Sequence, residues 1–309
     1  MTIHQNCGNL KTLLVITGPT AVGKTELSIR IAKLLSSCIL SADSRQMYRR
    51  MSIGTAAPSE EELSQVTHYF VHTLELDQYY SAAMYEQEAT QLMDTLFEKQ
   101  EVVVMTGGSM MYIDAVCNGI DDIPTVDPDV REHLKTRLRQ EGEQALLSEL
   151  RLVDPDYYAI ADLKNTKRIV HALEIYYMTG RPFSQFRTGV RKQRPFRIVK
   201  VCLNRQRQVL FERINRRVDL MMEQGLMEEV RGLYPYRHLN SLNTVGYKEL
   251  FNVIDGTWEL DFAVERIKKN TRVYAKKQLT WFKKDPEVEW IDLDAFSLDA
   301  CEQKIMNLL

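Results

Sequence analysis

Gly18-Pro19-Thr20-Ala21-Val22-Gly23-Lys24-Thr25 constrains this chain more than any other stretch. It has the spacing G-x-x-x-x-G-K-[ST] of a phosphate-binding loop, the P-loop. Leu13-Leu14-Val15-Ile16 before it reads as a short buried strand, and Glu26 to Leu35 after it places Leu27, Ile31, Leu34 and Leu35 on one helical face. Strand, glycine turn and helix is the context the chemistry needs, because the turn's backbone N–H groups and the helix N-terminus point at an anion. Lys24 can reach a phosphate oxygen, and the Thr25 hydroxyl is the candidate ligand for Mg2+. The loop therefore predicts a di- or triphosphate ligand. It leaves open which ester is bound and whether a phosphoryl group moves.

At 309 residues the chain is longer than one hydrophobic core usually organises, so one large and one smaller domain is expected. The five cysteines, Cys7, Cys38, Cys117, Cys202 and Cys301, lie far apart without a C-x-x-C pair. That argues against a disulfide framework or a zinc module and suits a reducing cytosol. His4, His68, His72, His133, His171 and His238 show no metal-ligand spacing. There is no secretory signal and no apolar run of membrane length, so a cytoplasmic protein without a membrane partner is expected, with Met1 to Leu10 as a disordered lead-in. Nothing demands more than a monomer.

The net charge of −2 hides an asymmetry. Between Lys164 and Arg217 stand 15 Lys/Arg against two acids, Glu174 and Glu212, and Arg266 to Lys284 adds eight basic residues and no acid. Such segregation is the footprint of a face that binds a polyanion, whereas a merely solvated surface intersperses both signs.

Along the chain, Cys38 to Ser41 reads as a second strand that delivers Asp43, Ser44, Arg45 and Gln46 to the same sheet edge as the P-loop. In open α/β sheets that edge forms the site, although Asp43 could equally cap the following turn. Met51 to Pro58 is a loop of small and polar residues able to approach a ligand; Tyr69 to Val71 is a possible third strand; Ala82 to Phe97 is a helix capped by Ser81. Val102 to Met105 is a buried strand followed by Thr106-Gly107-Gly108-Ser109 and a helix from Met110. Its glycines are expected to admit a ligand, and no acid ends the strand, unlike many P-loop ATPases. Asp, Pro and Gly between 119 and 129 mark a boundary. Residues 130 to 180 read as helices, with Lys167, Arg168 and His171 opposite the apolar face of the last. Phe196 to Leu203 is a returning strand, Gln206 to Gln224 a helix carrying Arg213, Arg216 and Arg217, and Thr257 to Lys284 a long basic helix with Arg272 and Lys276. Glu289 to Ile291 is a last strand, and Ser297 to Leu309 a closing helix. The expected fold is α/β: a P-loop-kinase-like parallel sheet flanked by helices in 1–119 and 196–309, with an all-helical insertion domain in 120–195.

The identity of the polyanion rests on a resemblance. GPTAVGKT at 18–25, SADSRQMYRRMSIGTAAP at 41–58, YSAAMYEQEA at 80–89, TGGSMMYIDAVCNGI at 106–120, NTKRIVHALEIYYMTGRPFS at 165–184, RINRRVDLMMEQGLMEEV at 213–230, VGYKEL at 245–250 and AKKQLTWFKK at 275–284 together resemble the bacterial tRNA dimethylallyltransferase (IPP transferase) family over nearly the whole length. The resemblance implies transfer of a dimethylallyl group from dimethylallyl diphosphate to N6 of the adenosine 3′-adjacent to the anticodon in tRNA, with Mg2+. It implies that Gly18 to Thr25 cradle the diphosphate, a segment the family commonly also describes by motif as ATP-binding. Asp43 is implied as the base at N6, Asp43, Ser44, Arg45 and Gln46 as tRNA contacts, and Ser109, where the family usually has Thr, as a residue close to the target nucleotide. Arg131 and the run Lys167, Arg168, Ile169, Val170 and His171 match tRNA-contacting positions, with Lys167 departing from the family's Gln and His171 from its Arg. Arg217 is taken with Asp43, Ser109 and Lys24 as catalytic, while Arg213 and Arg216 stay open for diphosphate contact. Arg272 and Lys276 are added to the tRNA surface on charge. The zinc-finger extension of eukaryotic relatives is not found.

Two other classes account for fewer of these residues. An ATP-dependent small-molecule or nucleotide kinase uses the P-loop and Asp43 but not the basic segments. A non-catalytic RNA-binding protein uses the charge but not the P-loop.

Overall fold

A computed structural model describes residues 11–309; the lead-in expected at 1–10, with His4 and Cys7, lies outside the described residues. Six strands, β1 (Thr12–Thr17), β2 (Ile39–Ala42), β3 (His68–Tyr69), β4 (Val102–Gly107), β5 (Arg197–Asn204) and β6 (Val288–Asp292), form one sheet in the order β3-β2-β4-β1-β5-β6. Every pairing is parallel. All residues of β1 and β2 are buried, as expected where helices cover both faces of a parallel sheet. Alternation divides them: Leu13 and Val15 pack on one face with Tyr85 and Met93, whereas Leu14 and Ile16 pack on the other with Leu27, Ile31 and Ile214.

The register brings the strand ends to one level. Thr17 pairs with Gly107 and Cys202, and Ala42 pairs with Gly107. The loops leaving β1, β2 and β4 therefore open at the same edge. Gly107 serves this closeness: a Cβ there would lie 2.2 Å from the Ala42 carbonyl oxygen. At Gly108 a Cβ would lie 2.4 Å from the Gln278 side-chain nitrogen. Both glycines thus make room for protein as well as facing the cleft, a correction to their reading as ligand-approach positions alone.

The described chain divides into two compact units, one of residues up to 117 and from 194 to 309, the other of residues 118–193. In the first, a third apolar cluster joins the helices Leu226–Leu233 and Tyr247–Ile254 to the start of the long helix Leu260–Phe282. The two short helices were not read from the sequence; each has eight residues, too few for a periodic signal. The second unit is helical, built from Pro128–Glu141, Glu143–Val153, Pro155–Ile160 and Thr166–Thr179 around Leu134, Leu146, Leu150, Ile169 and Leu173. Asp154, buried in it, accepts from Tyr157 N (3.0 Å) and Ser184 N (2.8 Å), tying a helix start to the segment after the last helix. No helix among the described residues is long and apolar enough to cross a membrane.

Candidate active site

The P-loop leaves β1 at Gly18, whose φ of +146° few side chains adopt and whose Cβ would lie 2.6 Å from the Leu203 carbonyl oxygen. The helix Lys24–Leu34 begins within the motif. Its first residue, Lys24, folds back and donates from Nζ to the carbonyls of Gly18 and Pro19, both at 2.9 Å. Two arginines of the helix Arg207–Glu223 hold the same loop. Arg213 Nε donates to Ala21 O at 2.9 Å, and Arg217 donates from Nη1 to Thr20 Oγ1 at 3.2 Å. Arg216 makes no such bond among the described residues but lines the same cavity as Arg213 and Arg217. Among the described residues no carboxylate forms an ion pair with Lys24, Arg213 or Arg217. Desolvation and the neighbouring Arg217 lower the Lys24 ammonium to about 8, with Asp43 acting in the opposite sense. Burial likewise lowers Arg217, opposed by Asp43. The cradle is an array of positive charge and N–H dipoles with room for an anion.

That room is a cavity of about 540 Å³ that includes Lys24, Thr25, Asp43, Arg217 and Gln278 in its wall. A second cavity of about 310 Å³ adjoins it, with Ser109 and the apolar side chains Ile214, Val218, Met221 and Ile267 in its lining. Thr20, Asp43, Thr55, Arg217 and Tyr274 line both.

Asp43 stands at the end of β2, as expected, and the capping role also holds. Its Oδ1 accepts from Arg45 N at 2.9 Å and from Gln46 N at 3.3 Å. Oδ2 has no hydrogen bond to another described residue and is available to a ligand. Ser44 and Ser109 are brought together: Ser109 Oγ accepts from Ser44 N at 2.8 Å and donates to Ser44 Oγ at 3.1 Å. Ser109, 9% exposed, therefore staples the loop after β4 to the Asp43 turn. The Arg45 guanidinium donates to the carbonyls of Asn240 and Ser241, and Gln46 Nε2 to those of Thr55 and Ala56, so both side chains brace the turn.

The long helix supplies residues the sequence reading missed. Gln278, 1% exposed, accepts from Thr20 N at 2.9 Å and donates to Gly108 O at 2.8 Å. Tyr274, one turn earlier, donates to Gly108 O at 3.3 Å. The signal was a Tyr and a Gln four apart in a helix otherwise read for its charge. Arg272 and Lys276 lie on another side, within 6 Å of the Phe211 ring, and Arg272 donates to Asn215 Oδ1.

In the helical unit, Lys167 and Arg168 are exposed without an ion pair among the described residues. Ile169 and Val170 are buried, so their side chains are core and not contacts, a correction to their place in the expected tRNA surface. Arg131 Nε and His171 Nδ1 converge on Glu174 at 3.3 and 3.1 Å. Burial works against ionisation of Glu174, but His171 and Arg131 hold its carboxyl below the usual value. The charge excess counted along the sequence is also partly neutralised: Arg194 pairs with Glu86, Lys200 with Asp285 and Glu287, and Arg205 with Asp294.

A sequence model of the IPP transferase family matches residues 46–285. The chain belongs to that family. The tRNA dimethylallyltransferase 1 of Bacteroides thetaiotaomicron is 60% identical over 281 residues, 91% of each chain. The tRNA dimethylallyltransferase 2 of Azobacteroides pseudotrichonymphae is 54% identical over 306 residues, covering 97% of this chain and 100% of that one. The crystal structure of the full-length tRNA isopentenylpyrophosphate transferase from Bacillus halodurans superposes with a TM-score of 0.70 at 36% identity, covering 96% of this chain and 95% of that one. Membership makes this IPP transferase family member an enzyme of group transfer and removes the kinase alternative.

The cradle gives this family member a pH signature. In the ligand-free state Lys24 loses its proton near pH 8, whereas an adjacent diphosphate favours the charged form. Pyrophosphate binding should therefore take up a proton above pH 8 and weaken as pH rises. Titration calorimetry from pH 7 to 9.5 in buffers of different ionisation enthalpy measures both, and Lys24→Met should abolish the difference beyond the titration of pyrophosphate itself.

Proposed function

We propose that this enzyme transfers a dimethylallyl group from dimethylallyl diphosphate to N6 of the adenosine 3′-adjacent to the anticodon in tRNA, giving N6-isopentenyladenosine. The observation that carries the reading is the wall shared by the two cavities, where Asp43 faces Arg217 beside the cationic P-loop. The diphosphate lies in the larger cavity against Lys24, Arg213, Arg217 and the P-loop N–H groups. The allylic C–O bond breaks and its electron pair leaves on the diphosphate, whose charge these donors stabilise as it develops. The N6 lone pair forms the new C–N bond. It is a poor nucleophile because it is delocalised into the purine. Asp43 Oδ2, free of the turn, accepts an N6 proton and opposes that delocalisation. The target adenine must leave its stack to reach the cavity, which is cheap in an anticodon loop.

Mg2+ fits the residues present. The Thr25 hydroxyl lines the larger cavity and has no hydrogen bond to another described residue. The described residues contain no cluster of three or more His, Cys, Asp or Glu able to hold a metal, as suits an ion that takes most ligands from phosphate and water. Thr25 would hold it, and when bound it would offset charge on the leaving diphosphate.

The unit of residues 118–193 is proposed to grip the tRNA through Lys167 and Arg168, with Arg131 and His171 held by Glu174, and the core unit contributes Arg272 and Lys276. The decisive experiment is incubation with dimethylallyl diphosphate, Mg2+ and unmodified tRNA, followed by mass analysis of the digested nucleosides. A prenylated adenosine is expected; unmodified nucleosides would refute the reading.

Asp43→Asn keeps an acceptor for the Arg45 and Gln46 amides, so the turn should survive. Its single-turnover rate should fall by roughly 10²–10⁴, the range for a positioned acid–base group, with pyrophosphate affinity nearly unchanged. Rescue of the rate by raised Mg2+ would instead make Asp43 a metal ligand. The double substitution Lys167→Ala with Arg168→Ala should weaken tRNA binding and reduce the slope of log affinity against log salt by about one to two. An unchanged slope in filter-binding titrations would return that helix face to plain solvation.

A further inference from the structure

We infer that Glu229 is a positioning residue for Asp43, acting through the loop of residues 51–58; the inference rests on the proposed role of Asp43. Glu229 lies on the helix Leu226–Leu233, outside both cavity linings. Its Oε2 accepts from Ser52 N at 3.0 Å and Ile53 N at 2.8 Å. Its Oε1 accepts from Gly54 N at 3.0 Å and from the buried Tyr247 hydroxyl at 2.6 Å. Three successive backbone N–H groups thus form an anion-binding concavity, filled by the protein's own carboxylate. The loop belongs to no strand or helix and is closed on itself by Ala56 N to Ile53 O at 2.9 Å and Ala57 N to Ser52 O at 3.0 Å. It contains Ala56 at a φ of 48°, and Gly54 fits only because it has no Cβ, which would lie 2.6 Å from the Tyr247 ring.

From this anchor the loop backbone and a few hydrogen bonds lead to the site. The carbonyls of Thr55 and Ala56 accept from Gln46 Nε2 at 3.3 and 2.9 Å, and Gln46 N donates to Asp43 Oδ1 at 3.3 Å. Thr55 itself lines both cavities. Glu229 is the only side-chain acceptor for the amides of residues 52–54 among the described residues; the turn bonds shape the loop, and this carboxylate anchors it to the helix Leu226–Leu233, and with it the carbonyls that hold Gln46 and, through it, Asp43.

Glu229→Gln is the sharpest test, because it keeps shape while changing one oxygen to NH2. Each oxygen accepts two donors, so either amide orientation sets NH2 against two N–H or O–H groups. The single-turnover prenylation rate at saturating dimethylallyl diphosphate and tRNA should fall on the order of 10- to 100-fold, the effect of misplacing a catalytic group by about 1 Å. Pyrophosphate affinity should change less than about twofold, since the P-loop is anchored elsewhere. Tyr247→Phe removes one donor and should give a smaller loss of the same kind; it carries the test if Glu229→Gln does not fold by circular dichroism. Combined with Asp43→Asn, either substitution should add little further loss, because both act through one group. A full rate in the variant that folds, an equal loss of pyrophosphate binding, or losses that multiply with Asp43→Asn would overturn the positioning role. Absence of product with the unmutated enzyme would instead sink the underlying reading.

Discussion

Like charges crowded into one cleft, with Asp43 and also Glu26 and Glu62 in its wall, are the constraint on which the rest of this structure depends. Lys24, Arg213 and Arg217 converge on the P-loop and are held there by carbonyls and a hydroxyl of the loop itself. Such an arrangement buries cations, which costs free energy in the absence of an anion: desolvation first, and then the like charge of Arg217 on Lys24 and of Arg213 on Arg217, lower the basicity of Lys24 and Arg217. A fold keeps it only by bracing the loop from behind. Leu203 of β5 supports Gly18, Gln278 of the long helix holds Thr20, and Arg205 donates to Val22 O at 2.9 Å. The parallel register then sets Asp43 and Ser109 opposite, so that the proposed proton acceptor and the proposed diphosphate cradle share one cleft.

The legible parts of this architecture were those encoded locally. Strands buried on both faces announce themselves as apolar runs, and β1, β2 and β4 stand within two residues of where such runs place them; β5, read from alternation, and β6, read at Glu289 to Ile291, stand equally close. The P-loop and Asp43 were legible because strand ends in a parallel sheet share an edge. The helix beginning at Ala82 was legible through Ser81, whose hydroxyl accepts from Met84 N.

What stayed hidden depends on partners far apart in sequence. Thr20 meets Gln278, and Glu229 meets residues 52–54, across separations of 258 and 175–177 residues. Both residues lie in stretches that carry the family resemblance, 275–284 and 213–230, but nothing in either stretch names the distant partner. Charge counting failed for the same reason in the opposite direction: Arg194 and Lys200 look unbalanced in their own segment, yet their carboxylates come from Glu86, Asp285 and Glu287. A resemblance transfers positions, not exposure, and the burial of Ile169 and Val170 is the case in point.

The strand order has a consequence for how the molecule is made. β1 lies between β4 and β5, and β5 begins only after residues 118–193. On the ribosome, where chains fold from the N-terminus as they emerge, β1 can pair early with β4. Its other edge, and the side of the P-loop that rests on Leu203, must wait until the helical unit has been synthesised. The helical unit is continuous in sequence and can condense meanwhile. The half-built sheet thus exposes one open parallel edge for the time needed to translate that unit, roughly 4–15 s at bacterial elongation rates of about 5–20 residues per second. Gln278, which braces the cradle through Thr20, follows β5 in the chain, so competence to hold a phosphate comes only after the helical unit, β5 and the long helix have been made.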